Sequence, residues 1–179
     1  MKLTWLGHAC FLLEQNGYRL IVDPYTGVEG YPELRVKAHQ VVCSHQHHDH
    51  NAVEQITPLP AQENPFTIRV VKTFHDDQGG ALRGENTIHV ISTGGITVAH
   101  LGDLGHQLTA EQRAAIGTVD GHLLPGHGGP DLGAVCEVPG GRAGDFRGAG
   151  VPAEGAGHPA QTENRIRGTA QSADGLGAV

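Results

Sequence analysis

The chain has 179 residues and a formal net charge of −7, which suits one domain, or one domain with a tail. This charge does not favour a nucleic-acid-binding protein, although it leaves room for a local basic groove. The three cysteines, Cys10, Cys43 and Cys136, form no CxxC pair, and an odd number is typical of a reducing compartment. No segment approaches the roughly 20 apolar residues of a membrane span, and the N-terminus lacks a signal-peptide pattern. We therefore expect a cytoplasmic protein that does not enter a membrane, and we leave its oligomeric state open.

Short apolar segments between turn residues predict a mainly stranded fold up to about residue 118. Hairpin turns are indicated in the segment Gln15-Asn16-Gly17 and at Gly94-Gly95. Strands are predicted at residues 3–6, 10–13, 18–22, 41–44, 67–73, 87–91 and 96–100.

Helix signals are few. A helix is predicted from Thr109 to Ile116, with Thr109 as N-cap and Gln112 completing a capping box. A short helix is expected near Asn51, and residues 25–39, rich in Gly, Pro and Glu, are expected to form a loop. This inventory predicts part of a layered α/β domain.

The composition changes at about residue 121. Residues 121–179 hold 15 of the 27 glycines and 5 of the 10 prolines, and only 10 of them are Leu, Ile, Val or Phe. That fraction is below the roughly 20% needed to bury a core. We expect a domain over residues 1–120 and a poorly folded tail over 121–179, for which a flexible linker or interaction arm is the less favoured interpretation. A further hypothesis is a frameshift near residue 120, because a GC-rich gene read out of frame yields Gly, Ala, Arg and Pro.

The strongest functional signal is the segment His45-Gln46-His47-His48-Asp49-His50, which follows an apolar strand. Imidazole and carboxylate groups bind divalent zinc, iron and manganese at neutral pH. In an extended segment, side chains at i and i+2 point the same way, so His45 and His47 can hold one ion. Asp49 and His50 can then face a second. A solvated histidine-rich loop is the alternative, and a tag is disfavoured because it would lie at a terminus.

Two further metal-ligand candidates follow strands, where side chains are held rigidly. His75 could complete a three-histidine site with His45 and His47. Asp103 could bridge two ions, since a carboxylate has two oxygens to share.

These motifs, in this order, resemble the metallo-β-lactamase superfamily, and the opening residues 5–11, Asp23-Pro24, residues 83–87 and residues 100–103 are closest to its ascorbate-6-phosphate lactonase-like branch. The resemblance covers residues 1–118. It implies an αββα sandwich with two metal ions, usually zinc, at the edge of its two sheets. By the same resemblance the first ion is held by His45, His47 and His75, and the second by Asp49, His50 and Asp103.

The chain departs from the family pattern after residue 120. Members of the family continue with a strand, a helix and another strand that ends in a last histidine for the second metal. No such pattern is visible here, so we expect an incomplete sandwich. The remaining candidates for that ligand are His122, His127 and His158.

Other residues near these motifs carry weaker expectations. His8 is expected to pack in a turn, or to lie near the site. His48 should face away from the ions, and His100 and His106 should be structural more often than supporting. Asp76 could orient His75, although an exposed turn carboxylate is the commoner role.

The resemblance implies metal-assisted hydrolysis of a small molecule with an ester, lactone, amide or phosphodiester bond. A lactone or phosphodiester is favoured, with zinc as the metal and manganese or iron as alternatives. Asp49 is expected both to bind the second metal and to orient the nucleophile. The competing hypothesis is a truncated or frame-shifted member that binds metal weakly or not at all and is inactive. A metal-storage or sensor module is supported only by the histidine content.

Overall fold

Two five-stranded sheets face each other in this computed structural model, which describes residues 1–124 and, for the backbone alone, residues 136–137 and 163–165. The first sheet has the order β12-β1-β2-β3-β5. Its strands are β1 Lys2–Gly7, β2 Cys10–Gln15, β3 Tyr18–Val22, β5 Gln40–Val42 and β12 Glu163–Arg165. A parallel pair of short strands lies beside it, formed by β4 Val36–Ala38 and β6 Ile56–Pro58.

The second sheet has the order β11-β10-β9-β8-β7. Its strands are β7 Thr67–Phe74, β8 Glu85–Thr93, β9 Ile96–His100, β10 Gly121–Leu123 and β11 Cys136–Glu137. The helices of the described residues are a 3₁₀ helix, Val53–Gln55, and α1, Ala110–Ile116. Each sheet contains one parallel pair, β3 with β5 and β9 with β10, so the carboxyl ends of those strands meet at one edge.

Both predicted hairpin turns are confirmed. Asn16 and Gly17 have φ of 51° and 80°, and Gly94 and Gly95 have φ of 55° and 77°. Such turns need positive φ at both central residues, because only then does the turn match the twist of its strands. The N-cap at Thr109 and its capping box with Gln112 are also present.

Alternating side chains of the strands divide the apolar residues into three clusters. The cluster between the sheets joins the two sheets with residues such as Leu13 and Leu20 of the first and Ile91 and Val98 of the second. A second cluster, around Leu12 and Ile21, lies on the outer face of the first sheet. A third packs the outer face of the second sheet against Ile116 at the end of α1.

The layered sandwich predicted from the sequence is present, because two sheets pack against each other on a shared apolar cluster. Gly121–Leu123, just beyond the predicted boundary at residue 120, forms β10, and Leu123 is fully buried between the sheets. Three residues are too few to show a period, and they become a strand by pairing with β9. The other expectations for the tail fall mainly on residues outside the described part.

Two smaller expectations are corrected. The segment 25–39 is not entirely loop, because β4 lies within it and pairs with β6, which the sequence also did not predict. The short helix expected near Asn51 is the 3₁₀ helix Val53–Gln55. Within residues 1–124, 136–137 and 163–165, no helix is long and apolar enough to cross a membrane.

His89 makes the stability of this core depend on pH. Burial, and then the charge of His100, lower the pKa of His89 to about 4, whereas an unfolded histidine titrates near 6.5. Between these values the unfolded chain binds more protons, so stability falls as the pH falls from about 6.5 to 4. We expect the free energy of unfolding of the wild type to fall by on the order of 3 kcal/mol over this range, and we expect His89→Leu to abolish that fall.

Urea unfolding with a chelator present, at pH 7.0 and 4.5, tests this prediction. The matched control is His48→Leu, because His48 is exposed. If the free energy of unfolding fell equally for the wild type and His89→Leu between these two pH values, the prediction would be contradicted.

Candidate metal centre

Three loops meet at the sheet edge where β3, β5, β7 and β9 end. The loop after β5 carries residues 43–50, the loop after β7 starts at His75, and the loop after β9 carries Asp103. Ends of parallel strands are the usual place for ligand sites in layered α/β proteins. All six metal-ligand candidates of the sequence therefore lie on this one edge.

The structure brings His45, His47 and His75 together. Their ring nitrogens include one atom from each residue that lies within 4.8 Å of the others. The ring centroids are 4.6 Å apart for His45 and His47, 4.9 Å for His45 and His75, and 5.3 Å for His47 and His75. This geometry offers three imidazoles to a single cation.

Asp103 links these three histidines to a second group, which consists of His45, His50 and Asp103 itself. Its Oδ2 lies 3.1 Å from Nε2 of His75, and its Oδ1 lies 3.4 Å from Nε2 of His50. Ligand atoms of His45, His50 and Asp103 also lie within 4.8 Å of one another. The carboxylate thus spans the space between the two groups, as a bridging ligand must.

A third group contains His8 with Asp49 and His50, again with ligand atoms within 4.8 Å. His8 lies on the turn between β1 and β2, and sequence reasoning gave it mainly a packing role. Its isolated position in the chain, 37 residues before the histidine cluster begins, gives no spacing signal.

Unpaired buried atoms test whether these residues suit a metal. Nε2 of His8, His45 and His50 and Oδ1 of Asp103 are buried without a hydrogen-bond partner among the described residues. Buried polar atoms are normally paired, since leaving one unpaired costs about 1–3 kcal/mol. These are four of the eight such atoms in the described residues, and a cation between them would satisfy them. The donor set of imidazoles and carboxylates fits a divalent metal.

The electrostatics of the site also favour positive charge. Burial and the charge of His50 lower the pKa of His45 to about 4, which leaves a neutral imidazole. Burial alone would lower the pKa of His50, but Asp103 and Asp23 raise it. Burial alone would raise the pKa of Asp103, yet His50, His75 and His45 hold it well below its usual range. The negative field that keeps a proton on His50 would equally attract a metal cation.

Comparison with known proteins decides the family. A sequence model of the beta-lactamase superfamily domain matches residues 2–137. A UPF0173 metal-dependent hydrolase from Archaeoglobus fulgidus is 46% identical over 164 aligned residues, covering 70% of this chain and 71% of the relative. The chain belongs to the metallo-β-lactamase superfamily.

Two further similarities concern parts of longer proteins. A UPF0173 protein from Pyrococcus furiosus is 43% identical over 76 residues, which are 42% of this chain and 33% of that protein. A Thermotoga maritima crystal structure, described as a candidate zinc-dependent hydrolase of the metallo-β-lactamase superfamily, is 36% identical with a TM-score of 0.50. The alignment covers 66% of this chain and 58% of that one. The lactonase-like branch within the superfamily stays a prediction.

In this metallo-β-lactamase chain, the buried carboxylate of Asp23 holds the loop that carries the histidines. Its carboxylate is fully buried and accepts hydrogen bonds from the Ser44 backbone N–H at 2.6 Å and the Ser44 hydroxyl at 2.5 Å. Its Oδ2 lies 2.7 Å from Nδ1 of His50. The Ser44 hydroxyl in turn lies 2.9 Å from Nδ1 of His45. Asp23 therefore orients the rings of His45 and His50, a role that the sequence did not reveal.

Asn86 and two glycines pack the other loops of the superfamily site. The side-chain oxygen of Asn86 accepts from the Asp103 backbone N–H at 3.0 Å, and its amide donates to the Leu101 carbonyl at 2.9 Å. A Cβ on Gly102 would lie 2.3 Å from Oδ1 of Asn86. A Cβ on Gly105 would lie 2.3 Å from the backbone of His75 and Asp76. Close backbone approach therefore sets the distance between His75 and Asp103.

Asp76 has a role other than the one considered from the sequence. Its carboxylate accepts backbone N–H donors from the loop that follows His75. Burial alone would raise the pKa of Asp76, but these hydrogen bonds lower it to about 2. The donors are Gln78, Gly80, Leu82 and Arg83. Asp76 thus closes the loop beside the site.

The other histidines are placed as follows. His48 is exposed and belongs to none of the three groups. Nε2 of His106 accepts from the Phe74 backbone N–H at 3.1 Å, and the buried His100 lies 2.9 Å from the Ala9 carbonyl. His122 lies in β10 and pairs with Ala99, outside the three groups. His127 and His158 lie outside the described residues.

Asp23→Asn is expected to weaken both folding and metal binding. The NH₂ group of an asparagine would face Ser44 and His50, which already supply donors to Asp23. Loss of such a supporting partner typically costs about 10- to 100-fold in metal affinity. Zinc affinity by competition with a chromophoric chelator measures this loss. Asp77→Asn is the control, because it makes the same charge change at an exposed position. Equal affinities for the two variants would refute the supporting role.

Gly105→Ala is expected to separate the His75 and Asp103 loops. The added methyl meets backbone atoms that cannot move alone, and such overpacking costs about 1–3 kcal/mol. Gly79→Ala is the comparison, because its Cβ meets nothing within 4 Å and its φ of 68° brings only conformational strain. Zinc affinity should fall in Gly105→Ala alone, and urea unfolding measures the cost in stability of each variant. Unchanged zinc affinity in Gly105→Ala would contradict the conclusion that close packing sets the distance between His75 and Asp103.

Proposed function

We infer that this chain is a divalent-metal-dependent hydrolase that acts on a small molecule with a lactone, ester or phosphodiester bond. The observation that carries the proposal is the convergence of four unpaired buried ligand atoms, contributed by His8, His45, His50 and Asp103. Superfamily membership supports hydrolysis, and the relative from Archaeoglobus fulgidus is itself named a metal-dependent hydrolase.

Two cations fit the donor set. His45, His47 and His75 would hold the first, and Asp49 and His50 would hold the second, with Asp103 shared between them. Zinc is the favoured metal, because a site dominated by imidazole with few carboxylates suits zinc better than magnesium or calcium. The description of the Thermotoga maritima relative as zinc-dependent supports the same choice.

Bound cations would supply a Lewis acid and a water of lowered pKa. The residues of the chain determine where that water and the substrate lie. The Asp49 side chain is 31% exposed, whereas the His50 side chain is fully buried. Asp49, a member of the third group, is therefore the carboxylate that can reach an incoming substrate, and we assign it to orient the attacking water. Ser44 holds the ring of His45 and Asp23 holds the ring of His50, so we expect both rings to keep their positions during turnover.

The predicted outcome for His47→Ala is loss of one metal equivalent and a fall of about 100-fold or more in hydrolysis. The assay uses the full chain with zinc, a generic lactone and bis(p-nitrophenyl) phosphate. His48→Ala is the control, since His48 is exposed in the same loop and belongs to none of the three groups. Removal of metal with a chelator should abolish the wild-type rate, and added zinc should restore it.

Two results would count against the proposal. An unchanged rate in His47→Ala would remove the site from the reaction. Metal well below one equivalent with no turnover of either substrate would favour the inactive family member considered from the sequence.

A further inference from the structure

The His8 side chain is fixed in place by its own turn. Its backbone has φ of 48°, a left-handed conformation that costs a residue with a Cβ roughly 1–2 kcal/mol. Such strain persists only where the surroundings enforce it. The Trp5 indole donates to the His8 carbonyl at 2.9 Å, and the carbonyl of Ala9, the next residue, lies 2.9 Å from Nε2 of His100. Side chains of Trp5 and His100 thus hold the two carbonyls of the turn.

The packing around the ring directs it at Asp49 and His50. A Cβ on the neighbouring Gly7 would lie within 2.8 Å of Tyr25 and Tyr31. The His8 ring packs edge-on against Tyr25, with centroids 6.2 Å apart, and against His50, with centroids 5.0 Å apart. Aromatic rings therefore contact His8 on more than one side.

The far nitrogen of this ring lies among metal-ligand atoms. Nε2 of His8 lies 3.4 Å from Oδ2 of Asp49. It is buried and has no hydrogen-bond partner among the described residues. A cation between this nitrogen and the Asp49 carboxylate would satisfy both atoms, which packing of the turn alone does not require. Since a strained backbone holds that nitrogen there, a ligand role explains both features.

We propose that His8 is a direct ligand of the second cation, together with Asp49 and His50 and with Asp103 shared with the first. The proposal rests on the two-cation function inferred above. It supplies from the first turn of the chain the neutral donor that the resemblance expected from a last histidine. With two carboxylates already present, a neutral imidazole completes the ligand set without adding further negative charge.

His8→Asn tests the proposal in the full chain. Asparagine tolerates the left-handed conformation, so the turn is preserved, but its shorter side chain does not reach the site of Nε2. We expect zinc binding to fall from two equivalents to one, or the second affinity to weaken at least about tenfold, as measured by equilibrium dialysis. The visible spectrum of the cobalt(II) form should lose the bands of the second ion. His48→Asn is the matched control and should retain two equivalents.

A second variant separates a ligand from a structural role. His8→Gly relieves the backbone strain and leaves a cavity where the ring was. If His8 is a ligand, free imidazole at millimolar concentration should restore the second zinc equivalent and the cobalt bands in this variant. If His8 only holds the turn, imidazole should restore neither, and that result would overturn the proposal.

His127→Asn gives the direct comparison with the ligand expected from the resemblance. Loss of the second equivalent in His8→Asn, together with its recovery by imidazole in His8→Gly, supports the proposal whatever His127→Asn does. Two full equivalents in His8→Asn, with loss in His127→Asn, would overturn it. These readouts need no turnover, so an inactive wild type that binds two zinc ions would refute the hydrolase function and leave the ligand assignment standing.

Discussion

The buried carboxylate of Asp23 is the contact on which the candidate site depends. It lies at the end of β3, beside the parallel end of β5, and accepts from the backbone and hydroxyl of Ser44. A buried charge is costly unless it is paired and hydrogen-bonded, and the pairing here goes to His50 at the far end of the same loop. One side chain thus fixes both ends of the loop that carries the histidine cluster. The candidate ligand rings are therefore positioned by contacts within the chain.

Local patterns in the sequence predicted much of the fold. β3 and β9 have the predicted bounds, and both hairpin turns and the capping box of α1 are present, because these features depend on residues that are close in the chain. The histidine cluster, His75 and Asp103 were recognised from their spacing after strands, and the structure brings them to one edge. Their roles as ligands remain a proposal.

Features that depend on tertiary contacts were not predictable in this way. β10 forms only because β9 offers it a parallel partner, and its three residues carry no period of their own. The roles of Asp23 and Asn86 arise from contacts with residues 21 and 17 positions away, Ser44 and Asp103, and a single sequence contains no record of those contacts. His8 was underestimated for the same reason, since its partners follow it by more than 40 residues.

The loop closed by Asp76 has a consequence for how the rim of the proposed site can vary. Among the described residues, four backbone N–H groups make the hydrogen bonds to the Asp76 carboxylate. The side chains of Asp77, Gln78 and Leu82 take no part in these bonds and are exposed. Mutation can exchange them without disturbing the ring of His75 next door. In the proposed hydrolase, the rim of the site could thus change its specificity while the candidate ligands keep their positions.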